Sequence, residues 1–192
     1  MPRTYSEVER ENIRRSLLKV GGECLDELGV ARTTVDYIVG RVHIPKGSFY
    51  LFFSCKEELF LELLDDFITE IDDVMMDRLQ ELDENLIVNS LTEVFTLFFE
   101  NVSDRGIYRF FEEENYAIIA RRFEKGRIDR EIEKLRELVR RILELFLIDN
   151  REDIEAFFDA LMLLVRSLSV AERRDMRTMR LILRGLVLQL VE

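Results

Sequence analysis

Residues 34–59 read TVDYIVGRVHIPKGSFYLFFSCKEEL, and no other part of the chain limits the fold so tightly. Thr34 is suited to cap a helix, because its hydroxyl accepts from an orphan N–H of the first turn. Val35, Ile38 and Val42 then recur at helical spacing and give the helix one apolar face. Residues 41–44 form a tight turn. Pro45 opens a second short helix, where its fixed φ is pre-organised and its missing N–H costs nothing. Phe49 and Phe53, four apart, anchor that helix to a core. Lys46, Gly47, Ser48 and Tyr50 remain for the opposite face. The pattern predicts a helix-turn-helix, whose second helix fits the major groove of DNA.

The rest of the chain points to helices as well. Proline occurs twice among 192 residues, at Pro2 and Pro45, and the sequence is rich in Leu, Glu and Arg, which favours an all-α fold. No apolar run approaches the length of a transmembrane helix, and the acidic start at Glu7, Glu9 and Glu11 is unlike a secretory signal. The expected location is therefore the cytoplasm, without membrane contact, and Cys24 and Cys55 suit a reducing compartment.

The formal net charge of −11 at first argues against DNA binding, but the charge is unevenly placed. Residues 1–56 carry nine Lys and Arg against seven Asp and Glu. Residues 57–120 carry three basic side chains against eighteen acidic ones. Residues 121–192 are again slightly basic. The acidic excess lies behind the predicted DNA-reading head, so it opposes DNA at long range without meeting phosphate directly.

Helical periodicity continues to the end of the chain. A first helix is predicted from Ser6 to Leu28, with Ser6 and Glu9 as a capping box and Gly29 as its C′ residue. The Gly21-Gly22 pair inside it is unfavourable unless another chain segment approaches closely. A long helix follows from Ser54 or Cys55 to about Leu82, and breaks are expected at residues 83–85, 103–106 and 149–151 and near Ala171. Two helices close the chain. Ile154, Phe157, Leu161, Leu164 and Leu168 step by 3, 4, 3, 4, and Met176, Met179, Leu183, Leu186 and Leu190 step in the same way. Such seams can pack antiparallel. Phe158, Met162, Val165, Ile182 and Val187 add apolar surface beside them, so residues 151–192 are expected to form a homodimer interface of four helices. Its predicted contacts are Phe157, Leu161, Leu164, Leu168, Met179, Leu183, Leu186 and Leu190.

Residues 34–59 resemble the DNA-binding signature of the TetR family of bacterial transcriptional repressors, roughly T-V-x-x-I-A-x-x-A-G-V-S-K-G-T-L-Y-x-H-F-x-S-K-E-x-L. Thr34, Val35, Ile38, Ile44, Lys46, Gly47, Tyr50, Phe53, Lys56, Glu57 and Leu59 match it, and Ser48 and Phe49 are conservative replacements. His43 stands where the pattern has its turn glycine. Leu51 and Phe52 precede Phe53 where a polar residue is usual, and Cys55 replaces a serine. The resemblance implies a DNA-binding domain at 1–56 and a helical ligand-binding and dimerisation domain at 57–192.

By that resemblance the partner is double-stranded DNA with a roughly palindromic operator, contacted by Thr34, Lys46, Gly47, Ser48, Tyr50 and Lys56. It further implies a pocket in the body for a small hydrophobic ligand that releases the repressor. The expected lining is Phe67, Phe95, Phe98, Phe99, Tyr108, Phe111, Tyr116, Ile119 and Phe123. The other reading is a DNA-binding dimer controlled by a protein partner, with no small-molecule inducer. No cofactor is expected. One histidine, no phosphate-cradling glycine loop and no His/Cys cluster leave neither a catalytic constellation nor a metal site in the sequence.

Overall fold

The structure is a computed structural model that describes residues 5–83, 86–123, 126–170 and 175–191. The expected breaks at Glu84-Asn85 and near Ala171 lie outside the described residues. Among the described residues there are nine α-helices, one 3-10 helix and no strand. The helices are α1 (Glu7–Arg32), α2 (Val35–Val42), α3 (Lys46–Phe49), α4 (Lys56–Gln80), α5 (Ile87–Asp104), α6 (Glu113–Arg122), α7 (Arg127–Leu145), α8 (Arg151–Ser167) and α9 (Met176–Val191). The 3-10 helix, Ile107–Phe111, lies between α5 and α6. No helix among the described residues is long and apolar enough to cross a membrane.

Two compact units form. The first joins residues 1–65 to 105–124, and the second joins 66–104 to 125–192. The unit containing the head is thus larger than residues 1–56, because the 3-10 helix and α6 pack on α1.

In the first unit, α1 starts at the predicted capping box: Ser6 accepts from the Glu9 N–H, and the Glu9 carboxylate accepts from the Ser6 N–H at 2.8 Å. Helical geometry breaks at Gly29, which adopts φ 72° and ψ 173°, a conformation that L side chains rarely enter. Gly21 is buried because α4 crosses there, and a Cβ would overlap the Leu59 side chain. Leu17, Cys24, Leu25, Ile38, Phe49, Phe53 and Phe60 are buried in this unit. Phe49 and Phe53 contact each other with ring centroids 5.7 Å apart, the anchoring predicted from their spacing.

In the second unit, α5 is the central element. Leu91, Val94, Phe95, Phe98, Phe99 and Val102 are all buried, and α9 packs along α5 more extensively than along α8. Phe157 of α8 stacks edge-on against Phe95 at 4.9 Å. The expected α8–α9 contact is present but is the smaller of the two that α9 makes. The α9 seam lies on the apolar face of α5, while α8 packs on α7 and, more lightly, on α9. Ion pairs join the outer surfaces: Arg78 of α4 to Glu93 of α5, Arg141 of α7 to Asp72 of α4, and Arg136 of α7 to Glu155 of α8.

Candidate nucleic-acid interface

Local chemistry builds the helix-turn-helix residue by residue. Thr34 has extended backbone, and its hydroxyl accepts from the Tyr37 N–H at 3.2 Å, which caps α2. The C-terminus of α2 is closed by His43 in the left-handed region, at φ 60° and ψ 41°, with its N–H donated to the Val39 carbonyl. Histidine thus fills a position where glycine would be easier, and the turn keeps its shape. The Ile44 N–H also reaches Val39, at 3.1 Å. Pro45 is extended and precedes α3, and its carbonyl accepts from Ser48 at 2.8 Å. α3 has four helical residues, and turn hydrogen bonds carry the chain on to Phe53.

The six residues expected on DNA separate into two groups. Lys46, Gly47 and Tyr50 are exposed, with Tyr50 51% accessible and open space where a Gly47 Cβ would stand. Thr34 is exposed at the start of α2. Ser48 is buried instead, and its hydroxyl lies 2.9 Å from the Tyr5 hydroxyl. Lys56 is also turned inward. Its ammonium donates to the carbonyls of Val30 and Thr33, both at 2.7 Å. The reason is local: the break at Gly29 leaves carbonyls at the end of α1 without helical partners, and the first residue of α4 reaches them. The sequence pattern does not single out Tyr37 of α2, and it marks Leu51 only as a departure from the signature. Tyr37 is 45% exposed and Leu51 50%, both flanking the outward face of the motif.

Charge in the head is largely paired within it. Arg41 bonds Glu23 at 2.5 Å and Glu27 at 3.4 Å, and these carboxylates hold its guanidinium charged more firmly than usual against the opposing effect of burial. Arg14 pairs with Glu62, and Arg10 lies over the Phe52 ring. Lys46 bonds Asp36 at 2.8 Å, and this hydrogen bond raises its pKa above the ordinary lysine value. Cys24 is buried beneath Arg41, and burial pushes its thiol pKa upward, so it is an inert core residue. Among the described residues no group of three His, Cys, Asp or Glu side chains could hold a metal ion.

Residues 17–63, which span this motif, match the model for bacterial regulatory proteins of the tetR family. The chain carries a TetR-family N-terminal domain. Its overall fold is shared with solved regulators. The fatty acid degradation regulator FadR of Bacillus halodurans aligns over 96% of both chains at 14% identity, with a TM-score of 0.75. FadR of Bacillus subtilis, solved in complex with stearoyl-CoA, aligns over 90% of this chain and 96% of that one, at 14% identity and a TM-score of 0.70. Thermus thermophilus FadR, a TetR-family repressor solved with lauroyl-CoA, aligns over 93% and 91% at 15% identity, with a TM-score of 0.58. No curated protein matches the sequence.

The nine residues expected around a ligand are divided between the two units. Phe67, Phe95, Phe98 and Phe99 belong to the second unit and are buried, with Phe98 against Phe99 at 5.3 Å and against Phe67 at 6.4 Å. Tyr108, Phe111, Tyr116, Ile119 and Phe123 belong to the first unit, where Tyr116 and Phe123 are half-buried and the others buried. Tyr108 reaches Asp26 of α1, with its hydroxyl 3.5 Å from Oδ1.

Of the eight expected dimer contacts, Phe157, Leu161, Leu168, Met179 and Leu183 are consumed by the core of a single chain. Leu164, Leu186 and Leu190 are half-buried. The exposed apolar residues of this region are different ones: Leu163 at 66%, Val170 at 83%, Leu181 at 73%, Ile182 and Val191 at 41%, and Leu188 at 40%.

The inward position of Lys56 yields a measurable expectation. Hydrogen bonds from a charged donor are worth about 1.5–3 kcal/mol each, and two carbonyls lose theirs in Lys56→Met. Urea denaturation should show a loss of about 2–3 kcal/mol, since water recovers part of the deficit. An unchanged unfolding midpoint with weakened DNA binding would return Lys56 to the phosphate-contact role.

Proposed function

We propose that this protein is a homodimeric transcriptional repressor of the TetR type, released from a roughly palindromic operator by a small hydrophobic ligand. The observation that carries the reading is the outward face of the helix-turn-helix. Lys46, Gly47 and Tyr50 project from α3 with nothing packed over Gly47, and Thr34 and Tyr37 flank them on α2. That face can enter a major groove, with Gly47 allowing close approach and the hydroxyls meeting phosphate. Ser48 and Lys56 support the motif from inside.

The ligand reading rests on the aromatic cluster of the second unit and on the company the fold keeps. Phe67, Phe95, Phe98 and Phe99 form a buried aromatic cluster, apolar surroundings of the kind a hydrocarbon chain prefers. Two regulators of the same fold were solved with stearoyl-CoA and lauroyl-CoA, which favours an acyl chain as the apolar part of the inducer. Linkage requires the inducer to bind the DNA-free form better, typically by 1–3 kcal/mol, and DNA to weaken the inducer by the same factor.

The dimer reading rests on Leu163 of α8 and Leu181, Ile182 and Leu188 of α9, which remain exposed after the chain's own core is complete. Gly185, on the same helix, has open space where a Cβ would stand, so a partner helix can come close. A two-fold axis would pair this surface with itself and set two recognition helices about one turn of DNA apart.

Selection from random duplexes at low salt should recover a two-fold consensus. Titration with stearoyl-CoA or lauroyl-CoA should weaken the selected duplex about 5- to 150-fold. Recovery of no preferred duplex would refute the repressor reading. Binding of the duplex unaffected by any acyl-CoA would favour control by a protein partner.

Sedimentation at micromolar concentration should give a dimer. Leu181→Glu places two charges in a symmetric interface and removes two leucine burials of about 2 kcal/mol each, so Kd should rise about 1000-fold. A dimer that survives unchanged would place the interface elsewhere.

A further inference from the structure

The ion pair between Lys46 and Asp36 is not needed for stability. Both side chains are more than half exposed, at 53% and 70%, and such surface pairs contribute almost nothing to folding. Its position carries a cost for any DNA binder. Asp36 is the second residue of α2 and Lys46 the first of α3, so the carboxylate stands on the very face that would meet a polyanion. Arg41, Arg14 and Lys56 are turned toward α1 and α4, and Lys46 is the cation held on the outward face of α3. A carboxylate beside it offsets part of that attraction.

The hydrogen-bonding chemistry of the pair supplies a reason for that cost. One N–H of the Lys46 ammonium is given to Asp36 Oδ2 at 2.8 Å, and two remain for acceptors. Asp36 keeps Oδ1 as an acceptor. The unit therefore presents donors and an acceptor side by side, about one hydrogen-bond length apart. In the major groove a G·C pair presents the complementary order: N7 and O6 of guanine accept, and N4 of cytosine donates. O6 and N4 are neighbours because they bond to each other. An A·T pair interrupts the order, with a donor between two acceptors and a methyl group beyond.

We propose that Asp36 and Lys46 together read one G·C pair in each half-site, Lys46 on guanine and Asp36 on cytosine. This rests on the DNA-binding reading above. Asp36 is a specificity residue that lowers affinity for all DNA through repulsion and recovers it only where a cytosine amine is in place.

The test uses full-length protein and the duplex selected by the wild type. At one G·C position per half-site, change to A·T should weaken wild-type binding about 10- to 100-fold. In Asp36→Ala that discrimination should fall about 3- to 10-fold, the remainder being carried by Lys46 on guanine, while affinity for random-sequence duplex rises. Replacing the cytosine by 2-pyrimidinone, which lacks the exocyclic amine, should weaken the wild type and leave Asp36→Ala unaffected. Lys46→Ala should lose preference at the same position, and circular dichroism and thermal midpoints should match the wild type for both variants. Undiminished G·C preference in Asp36→Ala, or equal loss for both proteins with 2-pyrimidinone, would overturn the assignment of Asp36. Selection of no duplex by the wild type would instead overturn the DNA-binding reading itself.

Discussion

Where α1 ends, a small buried polar junction fixes the geometry on which the head depends. Gly29 turns the backbone out of the helix at φ 72°, and the freed polar groups need partners away from water. The Thr33 hydroxyl donates to the Gly29 carbonyl at 2.7 Å, and the Lys56 ammonium takes the carbonyls of Val30 and Thr33. Asn115 of α6 completes the set. Its Oδ1 accepts from the Ala31 N–H at 3.2 Å, while its Nδ2 donates to the Arg109 carbonyl at 2.9 Å and to Glu112 at 2.8 Å. Three chain segments, far apart in sequence, thus meet over five residues of backbone. Thr34, the cap of α2, follows at once, so the junction sets where the helix-turn-helix begins.

Such a junction links packing to function. An unsatisfied buried polar group costs about 1–3 kcal/mol, so these segments hold one arrangement and resist intermediate ones. α6 and the 3-10 helix lie in the same compact unit as the DNA-reading motif, with Tyr108 and Arg109 both facing Asp26. The 3-10 helix and α6 are therefore tied to α1 through defined polar contacts. The paired charges of the head complete the picture. Arg41, Arg14 and Lys46 are all bonded to carboxylates, which lowers the net positive charge that the head can offer to a polyanion.

Local rules made the head legible. The capping box at Ser6 and Glu9, the cap at Thr34, the left-handed His43 and the Phe49–Phe53 anchor are each decided by neighbours within a few residues, and the structure has all of them. The close approach at Gly21 also left its mark as a glycine inside a helix. What stayed hidden depends on distant partners. Nothing near Lys56 or Ser48 in the sequence announces that each bonds inward, because Val30, Thr33 and Tyr5 lie tens of residues away. The 3-4-3-4 seams of α8 and α9 reveal apolar faces without saying what covers them: α5 covers that of α9, and α8 packs mainly on α7. Periodicity reports that a face is buried; only the fold reports against what.

Amide hydrogen exchange in Asn115→Ala tests directly whether the junction holds the start of the helix-turn-helix in place. The variant removes one acceptor from the Ala31 N–H and leaves the apolar core of both units in place. Protection across residues 30–38 should fall about 10-fold, the equivalent of roughly 1.4 kcal/mol of local opening, while α7, α8 and α9 retain wild-type protection. Unchanged protection at residues 30–38, or an equal loss across α7, α8 and α9, would contradict it.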